Sequence, residues 1–343
     1  MTSQRIVNVF GAYGHTGRFV VAELCRRGWT PILCGRDSDK LEALASEYPA
    51  LESRIASIQE PASLDRALHG VVAVINCAGS FLDTATPMIE AALRARIHYL
   101  DVAPEQRAIL TVFEQHAEAA RAKGIAVLPG MAFFGGLADL LATTAAGDWP
   151  EADAIDIAVA LDSWHPTAGT RLTGRRNHYP RLVVTKGRLA PLADPPPRRD
   201  WHFPEPFGTQ AMIALPMSET IILSRHLRVR ELHSHMNLAP LTDLRDPDTP
   251  APIASDASGR SSQRFAMEVL VQRGRQARRI LASGRDIYAV TAPLVVEAME
   301  RIVEGRCKTP GANTAGELFD AQDFLAAVAP EHMVIGWGTH LPP

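Results

Sequence analysis

The sequence predicts an α/β protein: a doubly wound parallel sheet, then a second α+β domain built on a mainly antiparallel sheet. Three observations carry this reading. A strand, a glycine turn, a helix and a second strand follow one another over Ile6 to Arg36 (IVNVFGAYGHTGRFVVAELCRRGWTPILCGR). Short apolar runs then alternate with helical patterns as far as Leu128, the rhythm of βαβ units. From about Trp149 that rhythm stops and strand-like stretches replace it.

The first unit sets the functional expectation. The run Ile6, Val7, Val9, Phe10 ends at Gly11, and Gly14 and Gly17 precede a helical pattern (Phe19, Val20, Leu24, Cys25) that stops at Gly28. The spacing is G-x-x-G-x-x-G rather than the usual G-x-G-x-x-G, and a plain strand-to-helix turn would also use glycines. Its position after a buried-type strand and before a helix favours a dinucleotide-binding, Rossmann-type turn. Gly11, Gly14 and Gly17 would let a pyrophosphate approach backbone N–H groups, with Tyr13, His15 and Thr16 facing the phosphates and the adenosine ribose. The second strand, Pro31 to Cys34, ends in Gly35-Arg36-Asp37. Arg36 offers a planar cation suited to a 2′-phosphate, so NADP(H) is expected over NAD(H). In the alternative, Arg36 is a solvated turn residue and Asp37 holds the ribose.

Ser38 caps the next expected helix (Leu41, Leu44, Ala45), and a strand over Ile55 to Ile58 and a short helix over Leu64 to Leu68 follow. The β-branched run Val71 to Ile75 terminates in Asn76-Cys77-Ala78-Gly79-Ser80-Phe81. Ligands of doubly wound sheets lie beyond the carboxyl ends of strands, so Cys77, Ala78, Gly79 and Ser80 are candidates to line the nicotinamide ribose. A plain tight turn is the competing reading. A helix over Pro87 to Arg96 and a strand over His98 to Leu100 deliver Asp101 to the same edge. A helix over Glu105 to Lys123, a sixth strand over Ile125 to Leu128 and a helix over Leu137 to Ala146 complete residues 1–148 as a nucleotide-binding domain.

Residues 149–290 are expected to form the substrate domain. Ile155 to Leu161, Leu182 to Thr185, Glu219 to Glu231, Arg264 to Arg273 and Ala277 to Ala282 read as strands. The polar and aromatic segment Ser163 to Arg171 is placed to line a pocket. Gly187 to Pro216, with seven prolines, reads as a covering loop, and Pro240 to Ser262 as a mobile excursion. Thr291 is read as the cap of a helix reaching Glu304, and Ala321 to Val328 as a last helix ending at Pro330.

Composition sets bounds. With 343 residues, 46% hydrophobic, the chain can bury two cores. A net charge of −3 gives no basic field for nucleic acid, and with no apolar stretch of roughly 18 residues neither signal peptide nor membrane span is expected. A cytoplasmic location follows. Cys25, Cys34, Cys77 and Cys307 include no C-x-x-C pair, which fits a reduced compartment; Cys77 as a nucleophile lacks an adjacent base, so a core thiol is preferred. No tyrosine has a lysine four places on, which excludes the proton-donating dyad of short-chain dehydrogenases. His226, His233 and His235 lack an acidic or cysteine partner at ligand spacing, and no metal site is expected.

Taken together, Gly11 to Arg18, Gly35-Arg36, Asn76 to Phe81 and Tyr99-Leu100-Asp101 resemble the saccharopine dehydrogenase-like oxidoreductases, the group that includes saccharopine reductase and the trans-acting enoyl reductases. The resemblance implies hydride transfer to or from a C=N or C=C bond of a small-molecule substrate. It also implies that the Thr291 helix packs back on the nucleotide domain, which residues 291–343 would complete. Asp101 and Arg171 are the candidates for polar substrate contacts, and a homodimer through the sheet domain is expected. The glycine segment also resembles NAD(P)-binding regulators related to short-chain dehydrogenases, so the alternative is an NADP(H)-binding sensor or scaffold without turnover.

Overall fold

The computed structural model describes residues 5–307 and 310–338. Its first half alternates strand and helix: β1 (Ile6–Phe10), α1 (His15–Arg26), β2 (Thr30–Gly35), α2 (Ser38–Glu47), β3 (Ser53–Ile55), α3 (Pro61–Ala67), β4 (Ala73–Asn76), α4 (Phe81–Ala95) and β5 (His98–Asp101). The helix expected over Glu105 to Lys123 is divided into α5 (Gln106–Gln115) and α6 (Ala117–Lys123) at His116, whose φ widens to −117°. β6 (Ala126–Leu128), a π-helical turn (Phe133–Leu137) and α7 (Ala138–Ala146) follow.

The second half runs through β7 (Ala152–Leu161), α8 (Ala168–Arg176), β8 (Leu182–Thr185), β9 (Arg188–Pro191), β10 (Arg198–His202), β11 (Thr209–Ala214), α9 (Ser218–His226), β12 (Val229–Asn237), α10 (Leu238–Arg245), β13 (Arg264–Arg273) and β14 (Gln276–Arg285). It closes with α11 (Thr291–Val303), β15 (Gly311–Ala312), α12 (Ala315–Leu318), α13 (Ala321–His332) and β16 (Met333–Gly338).

One sheet is parallel, in the order β15-β6-β5-β4-β1-β2-β3. The strand order reverses between β1 and β4, so the loops after Phe10 and Asn76 open a crevice where a ligand can enter from the carboxyl edge. The other sheet has the path β10-β11-β12-β7-β13-β14-β16, with β8 and β9 to one side. Only its β7–β12 pairing is parallel, so it is mainly antiparallel, as the sequence predicts. A single apolar core joins the sheets: Val9 and Ile75 of the first, Leu140 and Leu141 of α7, Val269 of the second and Val295 of α11 belong to it.

Several expectations are corrected. Ser218 to His226 is helix rather than strand, since the segment is wedged among α5, α7 and the π-helical turn and buries six successive residues, which overrides β-branched propensity. The proline-rich stretch holds three strands, with Pro195, Pro196 and Pro197 confined to the connection before β10 and Pro204 and Pro206 to the turn after it. Thr291 does not cap α11. Its hydroxyl donates to the Ile287 carbonyl (2.9 Å) and accepts from the Phe133 N–H (3.2 Å), stitching the helix start to the π-helical turn. The last helix runs past Pro330 to His332, and the chain then returns as β16 to the second sheet beside β14.

The two ends of the chain meet at a buried ion cluster. Arg27, just past α1, bonds Glu23 and, from α11, Glu297 and Glu300, each at 2.6 Å; the Trp29 indole N–H donates to Glu300 at 2.6 Å, and Arg301 bonds Glu297 at 2.7 Å. Burial opposes ionisation of Glu23 and Glu297, yet the arginine bonds outweigh it and hold both carboxyls below the ordinary glutamate pKa. Removing one partner of such a cluster leaves unpaired buried charge. Arg27→Met is expected to destabilise the protein by about 3–5 kcal/mol in denaturant titration. Because the two carboxyl pKa values are depressed, the cluster's contribution is present above about pH 4.3 and is lost as pH falls through the lower folded values. A loss under about 1 kcal/mol would show that the cluster does not hold α11 in place.

Candidate active site at the seam of the two sheets

The glycine turn is built for close approach. Gly11 has φ +83°, and a Cβ there would lie 2.9 Å from the Ala78 backbone nitrogen, so the loops after β1 and β4 touch. The Gly11 and Ala12 N–H groups donate to the Cys34 carbonyl at 2.8 and 3.1 Å, tying the turn to β2. No side chain caps α1, leaving its first-turn N–H groups facing the opening, the arrangement that binds a phosphate.

These loops open into a cavity of about 950 Å³. Of the residues expected at a nucleotide, Gly11, Tyr13, Gly14, His15, Thr16, Arg36, Cys77, Ala78 and Gly79 line it, and Gly17, Asp37 and Ser80 do not. Gly17 lies beneath the turn, where a Cβ would strike the Gly11 and Ala12 carbonyl oxygens. Asp37 is engaged elsewhere: it caps α2 by accepting from the Lys40 N–H (3.2 Å) and pairs with the Lys40 ammonium (2.9 Å). That occupation weighs against the ribose role for Asp37. Ser80 is buried and points its hydroxyl at Glu105 (3.3 Å).

The Tyr13 ring lies against Gly35, where a Cβ would collide with it, and its hydroxyl accepts from the Asp37 N–H (3.3 Å). Lys40 sits 5.8 Å from the ring centroid and lines the cavity together with Arg36. Two cations therefore mark this corner. Lys40 escaped the sequence reading, although its position in the first turn after the β2 end is a usable signal.

Of the catalytic candidates, Asp101 does not line the cavity. Its carboxylate is fully buried and accepts from the Gly130 N–H (2.7 Å), the Ala103 N–H (3.0 Å) and the Tyr99 hydroxyl (2.8 Å), which anchors β5 to the segment after β6. Burial pushes its pKa up and those bonds oppose it. Arg171 does line the cavity, but its guanidinium donates to the Asp246 and Thr249 carbonyls (3.2 and 2.7 Å), fastening α8 to the segment after α10. Burial pushes the Cys77 thiol up, which suits a core thiol rather than a nucleophile. His235 is buried, and that desolvation, with Arg199 and His233 nearby, brings it down to about 4.

The expected pocket segment is partly helical: Thr167 caps α8 by accepting from the Thr170 N–H (3.0 Å). The helix lies on the β4 loop, since a Cβ on Gly79 would be 3.2 Å from the Thr173 hydroxyl. Tyr288 ties the pieces together. Its hydroxyl accepts from the Trp164 indole (3.0 Å) and hydrogen-bonds the Thr170 hydroxyl (2.9 Å), while its ring meets His15 edge-on at 5.2 Å. Burial lowers the His15 pKa, keeping that ring neutral beside the turn.

Glu105 is the second residue missed, because the sequence marks it only as a helix start. It is 1% exposed, lines the cavity, and accepts from the Phe81 N–H (3.1 Å) and the Ser80 hydroxyl (3.3 Å) through Oε1. Its Oε2 has no hydrogen-bond partner. Burial brings its pKa up to about 7, against the pull of the Phe81 N–H. Past this carboxyl the lining includes Arg175, Arg181 and Arg245.

Comparison with known proteins agrees with this geometry. Residues 7–128 match the family model for the saccharopine dehydrogenase NADP binding domain. The saccharopine dehydrogenase-like oxidoreductases of Bos taurus and Homo sapiens are 29% and 30% identical over 150 residues, covering 38% of this chain and 35% of theirs. The match thus spans about a third of the length of these relatives. The saccharopine dehydrogenase (L-Glu forming) of Saccharomyces cerevisiae shares the fold, with a TM-score of 0.68 over 97% of this chain and 100% of that one at 11% identity. Among the described residues no helix is long and apolar enough to cross a membrane. Residues 7–128 therefore match a saccharopine dehydrogenase-type domain for a nicotinamide dinucleotide, the chain is similar over 150 residues to saccharopine dehydrogenase-like oxidoreductases, and as a whole it shares the fold of a saccharopine dehydrogenase.

Proposed function

We propose that the protein is an NADP(H)-dependent oxidoreductase transferring hydride to or from a C=N or C=C bond of a small molecule. One observation carries this reading: a single cavity runs from the Arg36 and Lys40 corner, past the uncapped start of α1 and the Gly79 loop, to a space lined by α8. Such a cavity has room for a dinucleotide and for a substrate at its reactive end, which a nucleotide sensor would not need. The bound cofactor would supply the hydride; the chain's part is to orient it, exclude water and manage a proton. Arg36 and Lys40 would hold the 2′-phosphate, the α1 N–H groups the pyrophosphate, and Ala78 and Gly79 would lie against the nicotinamide ribose. Arg175, Arg181 and Arg245 favour a substrate carrying negative charge. In this reading residues 1–148, joined by the helices after 291, hold the nucleotide, and 149–290 cover it. The Arg27 cluster supports that division. Four unpaired cysteines suit a cytoplasmic enzyme.

Arg36→Asp is expected to remove roughly 1.5–3 kcal/mol of NADPH affinity, about 10- to 150-fold, while sparing NADH. Calorimetry showing the native protein binding NADH as tightly as NADPH would refute the 2′-phosphate assignment. Gly79→Val, whose side chain would press on Thr173 and the cavity, should cut turnover by about 100-fold or more and leave binding of adenosine 2′,5′-bisphosphate within about threefold. A variant that binds both the fragment and whole NADPH normally would move the nicotinamide away from this loop. A native protein that binds NADPH but never oxidises it across imine and enoyl substrates would be a sensor.

A further inference from the structure

Reduction of a C=N or C=C bond needs a proton as well as a hydride; with Tyr13, Arg36 and Lys40 at the adenosine corner and the arginines of the lining set aside, four ionisable side chains remain on the lining among the described residues. Tyr288 has its hydroxyl committed to Trp164 and Thr170, and burial pushes its pKa up. Cys77 is pushed up by burial as well, too weak an acid at neutral pH. His15 lies on the glycine turn, between Phe19 and Tyr288, at the phosphate end. Glu105 remains, and it alone bonds the loop that carries Gly79.

The geometry of Glu105 is that of a held acid. One oxygen is fixed by the Phe81 N–H and the Ser80 hydroxyl, which sets the plane of the carboxyl group. The other is buried from solvent and, among the described residues, has only the Thr173 hydroxyl facing it and no well-formed hydrogen bond, and a buried ionised oxygen without one is costly. A proton on Oε2 removes that cost, and an acceptor brought by a ligand completes it. Asp101, behind it on β5, disfavours the ionised form; the Thr173 hydroxyl faces it from α8 and favours that form slightly. Arg176 of the same helix pairs with Asp83 (Nε to Oδ2, 3.0 Å), and among the described residues no ion pair reaches the Glu105 carboxyl. At neutral pH such a group is poised between its two states, the condition for general acid catalysis.

We propose that Glu105 is the catalytic acid of this site, its Oε2 delivering a proton to the nitrogen or carbon of the substrate double bond that does not receive the hydride. The inference rests on the oxidoreductase reading above. In the balanced step the hydride and its electron pair pass to one end of the double bond, oxidising NADPH to NADP⁺. The Glu105 O–H bond breaks, its proton goes to the other end, and the carboxylate left behind is reprotonated from water.

The test is Glu105→Gln, which keeps an oxygen for the Phe81 N–H but has no acidic proton. NADPH affinity, read by fluorescence, is expected to stay within about threefold, while turnover falls by about 100-fold or more with an imine formed in place from a 2-oxo acid and methylamine, or with a crotonyl thioester. Native turnover in the reductive direction should fall as pH rises through about 7, and the residual Glu105→Gln activity should lack that limb. Independently of activity, the native protein should show an infrared carboxylic C=O band that titrates near neutral pH and is absent from Glu105→Gln. Glu105→Asp should keep the pH limb at reduced rate, and an equal loss in both variants with the limb gone from both would mark a structural role. The proposal fails if Glu105→Gln turns over like the native protein with the same pH limb, or if the native band is missing at pH 6. If the native protein binds NADPH but reduces neither substrate, the oxidoreductase reading falls and takes this proposal with it; native turnover unaffected by the substitution removes the proposal alone.

Discussion

Three carboxylates converge on the guanidinium of Arg27, and two of them come from a helix more than 260 residues later in the chain. Burying that much charge is expensive unless every group is paired, so the cluster tolerates only one placement of α11 against α1. The rest of the site inherits that placement. With α11 fixed, Thr291 meets the π-helical turn and Tyr288 meets both the glycine turn and α8. The cavity walls, drawn from the loops of the parallel sheet and from α8 and the loops of the second half, are thus held in register by α11.

Charge is uneven along the cavity, and Arg175, Arg181 and Arg245 lie toward its α8 end. Exposed cations, Arg36 and Lys40, stand at one end, and the turn between them and the β4 loop is lined by backbone donors and a neutral histidine. A dinucleotide carries its charge in its phosphates, and the cations and backbone donors of the first end suit them. The carboxyl of Glu105 is buried in the cavity wall, and that desolvation, with Asp101 nearby, raises its pKa above the ordinary glutamate range.

What the sequence made legible was local. The glycine turn, the β4 loop and the alternation up to Leu128 are written in consecutive residues, and the parallel sheet follows from them, except that β3 lies at Ser53–Ile55 rather than Ile55 to Ile58 and β15 joins from the far end of the chain. The failures share one cause. Helix α9 is β-branched by composition and helical because of what surrounds it; Thr291 looked like a cap and is a long-range stitch; the proline-rich stretch pairs into strands because its prolines fall between them or, as Pro191, at a strand end. Lys40 joins the site only because α2 folds back over Tyr13. In each case the deciding partner is distant in sequence, and no local pattern encodes it.

Asp101 and Glu105 make the same point at the level of chemistry. They lie four residues apart, both carboxyls are buried, and sequence reasoning favoured Asp101 because it ends a strand at the right edge of the sheet. Yet Asp101 receives hydrogen bonds from Tyr99, Ala103 and Gly130, the last across 29 positions, and these leave both its oxygens occupied with structure. Glu105 receives its donors on one oxygen only and keeps the other unpaired beside the Gly79 loop. A satisfied carboxylate is a strut, whereas one left half-satisfied in a cavity wall has its chemistry still available, because the missing partner must come from a proton or a ligand.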